Sequence, residues 1–132
     1  MIKILEHTAD IGFEIESDSL ENAFSEAALG LISLMVDIDK IECKENKKIE
    51  ITSMDLESLL VKFLSEILYL FDAENFIFSK VKVNIQDTKL ISTLCGEKYI
   101  RNKHGNKLNV KAVTYHMLYV DPKGKLRVIF DI

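Results

Sequence analysis

Two aspartates stand where apolar strand patterns rarely admit them: Asp10 in Glu6-His7-Thr8-Ala9-Asp10-Ile11-Gly12, and Asp131 in Val128-Ile129-Phe130-Asp131-Ile132. A short carboxylate competes for backbone hydrogen bonds and packs poorly in a strand, so each of these acids needs a compensating role. With Ile132 as the last residue, its α-carboxylate is expected close to the Asp131 side chain. If the last strand pairs near Asp10, three carboxylates converge. Such a group repels itself unless a proton or a cation neutralises it, and an all-oxygen set favours a hard ion, Ca²⁺ or Mg²⁺, over zinc. The plainer alternative makes Asp131 a solvated chain end and Asp10 a turn acid.

Other candidate chemistry is sparse. His7, His104 and His116 show neither HxH nor HExxH spacing, which leaves a transition-metal site unsupported. In Lys111-Ala112-Val113-Thr114-Tyr115-His116 strand alternation puts Thr114 and His116 on one face. A histidine beside a threonine can orient a phosphate or a water, although a lone strand histidine more often serves packing. The Asp37 and Asp39 pair lacks the glycine and distal glutamate of a calcium loop. There is no recognisable nucleophile triad and no GxxxxGK[ST] phosphate loop.

The 132 residues fit a single domain, 1–132, and 48% apolar residues can build its core. No apolar run is long enough to cross a bilayer, and residues 1–20 lack a basic n-region and a cleavage pattern. The expectation is a cytoplasmic protein without a membrane partner. Cys43 and Cys95 lie far apart without CxxC spacing, so both are expected to be reduced and buried. The net charge of -4 argues against a general nucleic-acid binder, yet it is unevenly spread: residues 1–57 carry 14 of the 21 acids and 5 of the 17 bases. No acid occurs from Lys98 to Val120, where Lys98, Arg101, Lys103, Lys107 and Lys111 cluster. That stretch reads either as a solvated loop or as a small basic surface.

The elements that must position these groups follow from periodicity. Residues 3–5 and 11–15 predict short strands around a bend at Thr8 to Asp10. Asp18-Ser19-Leu20-Glu21 has the form of a helix start, and Leu20, Ala23, Phe24, Ala27, Ala28, Leu31 and Met35 form one buried stripe, leaving Glu21 and Glu26 solvated. A strand and turn are expected within 37–48, ahead of a strand at 49–52. A second helix from Ser53 or Asp55 carries the broad stripe Leu56, Leu59, Leu60, Phe63, Leu64, Ile67, Leu68 and Phe71. Period-two segments at 76–85, 89–94, 108–120 and 126–132 are antiparallel candidates, with turns at Gln86-Asp87-Thr88 and Asp121-Pro122-Lys123-Gly124 and the longest irregular stretch at 96–107. This order predicts an α+β fold in two layers, two amphipathic helices packed on one face of a largely antiparallel sheet.

Several blocks, taken together in their order and spacing, carry a resemblance: His7-Thr8-Ala9-Asp10-Ile11-Gly12, Asp55-Leu56-Glu57-Ser58-Leu59-Leu60-Val61 continuing to Ile67-Leu68-Tyr69-Leu70, Gly96-Glu97, Lys111 to His116, and Phe130-Asp131-Ile132. The chain resembles the archease family over essentially its whole length. Phe63 stands where that family often has Trp, and 98–107 matches only loosely. The resemblance implies a protein cofactor, not an enzyme, for an RtcB-type RNA ligase, which joins RNA ends in tRNA splicing and repair. Such a ligase attaches a guanylyl group to its own histidine, and an archease promotes that step and multiple turnover. The implied metal site is Asp10, Asp131 and the Ile132 carboxylate, with Ca²⁺ ahead of Mg²⁺. Glu97, Lys111, Thr114 and His116 are implied for the ligase-facing surface, with RNA met only indirectly or weakly. Two other classes stay open: a metal-dependent phosphohydrolase using His116 as base, and a small RNA-binding module, which would lack RNP-like aromatics.

Overall fold

Both long helices begin where a side chain takes up a free amide. Ser19 accepts from Asn22 N–H ahead of helix α1 (Leu20–Met35), one residue beyond the expected acid, and Asp55 accepts from Ser58 N–H ahead of α2 (Leu56–Glu74). Asn75, at φ 59°, closes α2 in the left-handed conformation. The computed structural model describes residues 1–6 and 9–132. Its strands are β1 (Ile2–Glu6), β2 (Asp10–Glu16), β3 (Glu45–Thr52), β4 (Phe76–Gln86), β5 (Lys89–Lys98), β6 (Ala112–Asp121) and β7 (Lys125–Asp131), with a 3-10 turn at Ile38–Lys40 and a short helix α3 (Arg101–His104). The stretch at 37–48 therefore holds a 3-10 turn and only the start of a strand. His7 and Thr8 of the first motif, and the bend expected there, lie outside the described residues.

The α+β class holds, but the single expected sheet is two. One has the order β1-β2-β7-β6 and the other β3-β5-β4, all neighbours antiparallel. Each long helix contacts strands of both sheets: α1 packs on β4, β2 and β7, and α2 on β6, β3 and β4. One core results. Phe24 and Phe63, both fully buried, stack at 6.1 Å between ring centres where the helices meet, and Phe13 meets Phe130 edge-on at 5.6 Å. Among the described residues no helix is long and apolar enough to cross a membrane.

Two further expectations are overturned. Glu21 is not free in solvent: its carboxylate accepts from the Ile85 N–H at 3.2 Å, and Glu26 meets the Met1 ammonium at 3.3 Å. The cysteines are neither reduced nor buried. Cys43 and Cys95 form a disulfide with Cα atoms 5.0 Å apart; Cys43 is exposed and Cys95 half-buried. They lie 52 positions apart in sequence, and only the pairing of β3 with β5 brings them together.

Candidate functional site on the open face of the four-stranded sheet

Alternation along two strands sorts the residues. On β2, Ile11, Phe13 and Ile15 enter the core while Asp10, Gly12 and Glu14 take the opposite face; on β7, Leu126, Val128 and Phe130 enter while Arg127, Ile129 and Asp131 turn away. The register then sets Asp10 opposite Asp131, Gly12 opposite Ile129 and Glu14 opposite Arg127. A side chain at position 12 would collide with Val128 O and the Ile129 side chain, so only glycine allows this approach. Glu14 accepts from the Arg127 guanidinium at 3.0 Å. That hydrogen bond, aided by the charges of Arg127, Lys3 and Lys125, holds the Glu14 carboxyl below the usual carboxylate range.

The third strand supplies a wall. Thr114 opposes Ile129 and Tyr119 opposes Arg127, so five steps along β6 match two along β7 and the excess bulges outward. Met117 adopts φ 54° within this bulge. Thr114 Oγ1 donates to Ile129 O at 2.9 Å and accepts from His116 N–H at 3.3 Å, so its hydroxyl fastens the base of the bulge. The bulge delivers His116 to a cavity of about 220 Å³ that it lines with Leu5, Asp10, Glu14, Met117, Arg127 and Ile129. A larger cavity of about 660 Å³ adjoins it, sharing Glu14 and Arg127 and adding Lys3, Tyr119 and Lys125.

At the far end of the same face, the acids lie under a short main-chain clasp. Lys111 N–H donates to Asp131 O at 2.8 Å and Ile132 N–H to Ala9 O at 3.3 Å. Asp131 is exposed; Asp10 is half-buried, and among the described residues its Oδ1 is buried without a hydrogen-bond partner. Two carboxylates directly opposite on one sheet face destabilise each other unless something positive joins them. Among the described residues no three His, Cys, Asp or Glu side chains gather into a metal-ligand group. The face thus combines an acid pair with an orphaned oxygen, a histidine, and an arginine held by a glutamate.

Of the residues expected in a site, Asp10, Asp131, Ile132, Lys111, Thr114 and His116 come together here. Glu97 does not. It lies on β5 in the other sheet and is not a surface group, being only 5% exposed. Its Oε2 accepts from Glu42 N–H at 2.7 Å and from His104 Nε2 at 3.0 Å, with the Lys103 ammonium at 2.9 Å. Because His104 Nδ1 accepts from Ile100 N–H at 3.0 Å, the ring proton sits on Nε2 and points at Glu97. The Glu42 amide first, then His104 and Lys103, drive the Glu97 carboxyl far below its ordinary 4.5 against the opposing effect of burial. The cluster fixes the 97–104 corner from within.

This gives a signed pH dependence. The folded domain keeps Glu97 ionised where the unfolded chain has begun to protonate it, so the associated stability is intact above about pH 4.5 and drains away as pH falls below that. In Glu97→Gln the advantage of the wild type, measured by urea unfolding, should be constant from pH 6 to 8 and shrink below pH 4.5. A difference that does not change with pH would contradict this account.

Sequence reasoning missed Glu14, Arg127, Tyr119 and His104. The first two carried a usable signal: 10, 12, 14 and 127, 129, 131 share strand parity with the two acids. Tyr119 and His104 carried none, since a bulge places the first and the short helix α3, within a stretch that reads as irregular, places the second.

The fold and the site define a small α+β domain with an acid pair, a histidine and an arginine–glutamate pair on one open sheet face. The Archease protein family model matches residues 3–132. The chain is 44% identical over 126 residues to Protein archease of Thermococcus kodakarensis, covering 91% of this chain and 89% of the relative. It is 41% identical over 132 residues to Protein archease of Methanothermobacter thermautotrophicus, covering 95% and 94%. The solution structure of Methanobacterium thermoautotrophicum protein 1598 superposes with a TM-score of 0.74 at 35% identity, covering 99% of this chain and 98% of that one. The chain belongs to the archease family.

Proposed function

We propose that this protein is the activating partner of an RtcB-type RNA ligase, promoting ligase guanylylation and multiple turnover in tRNA splicing and RNA repair. Membership of the archease family supports the reading, and one observation carries the site: Asp10 faces Asp131 on an open sheet face, with a buried Asp10 oxygen that no described residue partners. That oxygen, a second carboxylate and the Ile132 carboxylate are hard donors, which suits Ca²⁺ better than Mg²⁺ because calcium accepts irregular oxygen shells. When bound, the cation would supply fixed positive charge at the edge of the face. The chain's own groups do the rest. The Asp131 carbonyl anchors the exposed Lys111 beside the acids, and the bulge carries His116 into the neighbouring cavity. A rigid, preformed array of this kind lowers the cost of reaching a reactive arrangement that a partner visits rarely alone.

The test is catalytic stoichiometry. Added below the concentration of its own cell's ligase, the protein should yield many guanylylated ligase molecules per copy. Lys111→Ala should abolish the effect while circular dichroism stays unchanged, since an exposed surface charge contributes little to stability. No stimulation by folded wild-type protein would overturn the proposal; hydrolysis of GTP or simple phosphate esters by the isolated protein would favour a phosphohydrolase.

A further inference from the structure

The segment around Cys43 is tied to β5 at three successive residues. Glu42 N–H donates to the Glu97 carboxylate at 2.7 Å, Cys43 is bonded to Cys95, and Lys44 N–H donates to Gly96 O at 2.9 Å. The disulfide is the middle tie and the sole covalent one. It is also the one that chemistry can open from outside, since Cys43 is exposed while Cys95 is half-buried between β3 and β4. The Glu42 amide is the group that contributes most to holding Glu97 as a carboxylate, and Glu97 in turn receives the buried His104. A change at Cys43 therefore reaches the 97–104 corner through one intervening residue.

We propose that Cys43–Cys95 is a thiol-exchange latch, opened by a dithiol reductant, that sets how firmly residues 41–44 and the Glu97–His104 pair are held. The reductant thiolate attacks Sγ of the exposed Cys43. The sulfur–sulfur bond breaks, and Cys95 leaves as a thiolate that takes a proton; Lys80, directly opposite Cys95 on β4, favours the departing charge. The reductant's second thiol attacks its own sulfur in the mixed disulfide and frees the Cys43 thiol. Two thiols of the reductant become a disulfide and two electrons pass to the protein. The two flanking hydrogen bonds then hold the segment without a covalent stop, so the segment opens more often while both sheets stay paired.

Hydrogen exchange of the full chain, compared with and without dithiothreitol, tests this. Amides of Glu42 and Lys44, and those of residues 97–104, should exchange at least about tenfold faster after reduction, while the amides of β2 and β7, which open only with global unfolding, stay protected over the same short labelling times. The double variant Cys43→Ser, Cys95→Ser should match the reduced protein and ignore the reductant. Mass spectrometry should find no free thiol before reduction and two after it. Two free thiols in protein equilibrated with oxidised glutathione would overturn the proposal, as would unchanged exchange at 42 and 44 or equal loss of protection in β2 and β7 over those labelling times. Wild-type protein alone decides the matter should the double variant not fold.

Discussion

Calcium at a hundred times its Kd should raise the stability of the wild-type domain by about 2.7 kcal/mol, the mass-action gain of a ligand that binds only the native state. For a domain of this size that corresponds to a rise of roughly 10 °C in Tm. The double replacement Asp10→Asn, Asp131→Asn should abolish the rise and weaken binding in calorimetry by at least about 100-fold, because it removes two of the three charged donors. Without calcium the same variant should be no less stable than the wild type, since the two acids face each other across β2 and β7 and, among the described residues, the buried Asp10 oxygen has no partner to relieve their repulsion. That pairing of outcomes separates a cation site from a merely structural pair, whose loss would lower stability in both conditions. Residues added after Ile132 would replace its carboxylate with an amide and should weaken calcium binding too. Undiminished calcium binding by the double variant would eliminate the site.

Reducing the disulfide should be the largest single loss of stability at neutral pH. Cys43 and Cys95 close a loop of 52 residues, and the chain-entropy model assigns such a constraint about 4 kcal/mol. Set against a total of about 5–15 kcal/mol for a domain, the reduced protein remains folded at 25 °C. With a urea dependence near 2 kcal/mol per molar, the midpoint should fall by roughly 2 M in dithiothreitol. An unchanged midpoint would mean that the reduced unfolded chain is already confined near this loop. The effect acts on the unfolded ensemble, so it is separate from the local opening of residues 41–44, which is a property of the native state.

What could be read along the chain was local. The stripes of α1 and α2 recur within four residues, Asp55 caps its own helix, and the alternation of β2 and β7 is written in each strand separately. From these alone come the α+β class, the order of the two long helices and of the main strands around them, and the presence of two strand acids, Asp10 and Asp131, that call for a partner. Tertiary structure decided everything that depends on which segment meets which. Strand pairing divided one expected sheet into two, because alternation records a strand's faces and is silent about its neighbours. The same pairing joined two cysteines that their spacing suggested were free, and drew Glu97 away from the surface into the grip of the Glu42 amide and His104. A bulge between Thr114 and Tyr119 lifted His116 over the open face, and the β2–β7 register set Glu14 against Arg127, 113 positions later in the chain. Periodicity is imposed by bonds within one turn or pleat, whereas register and burial are settled by contacts between residues far apart in sequence, and only the folded chain brings those into being.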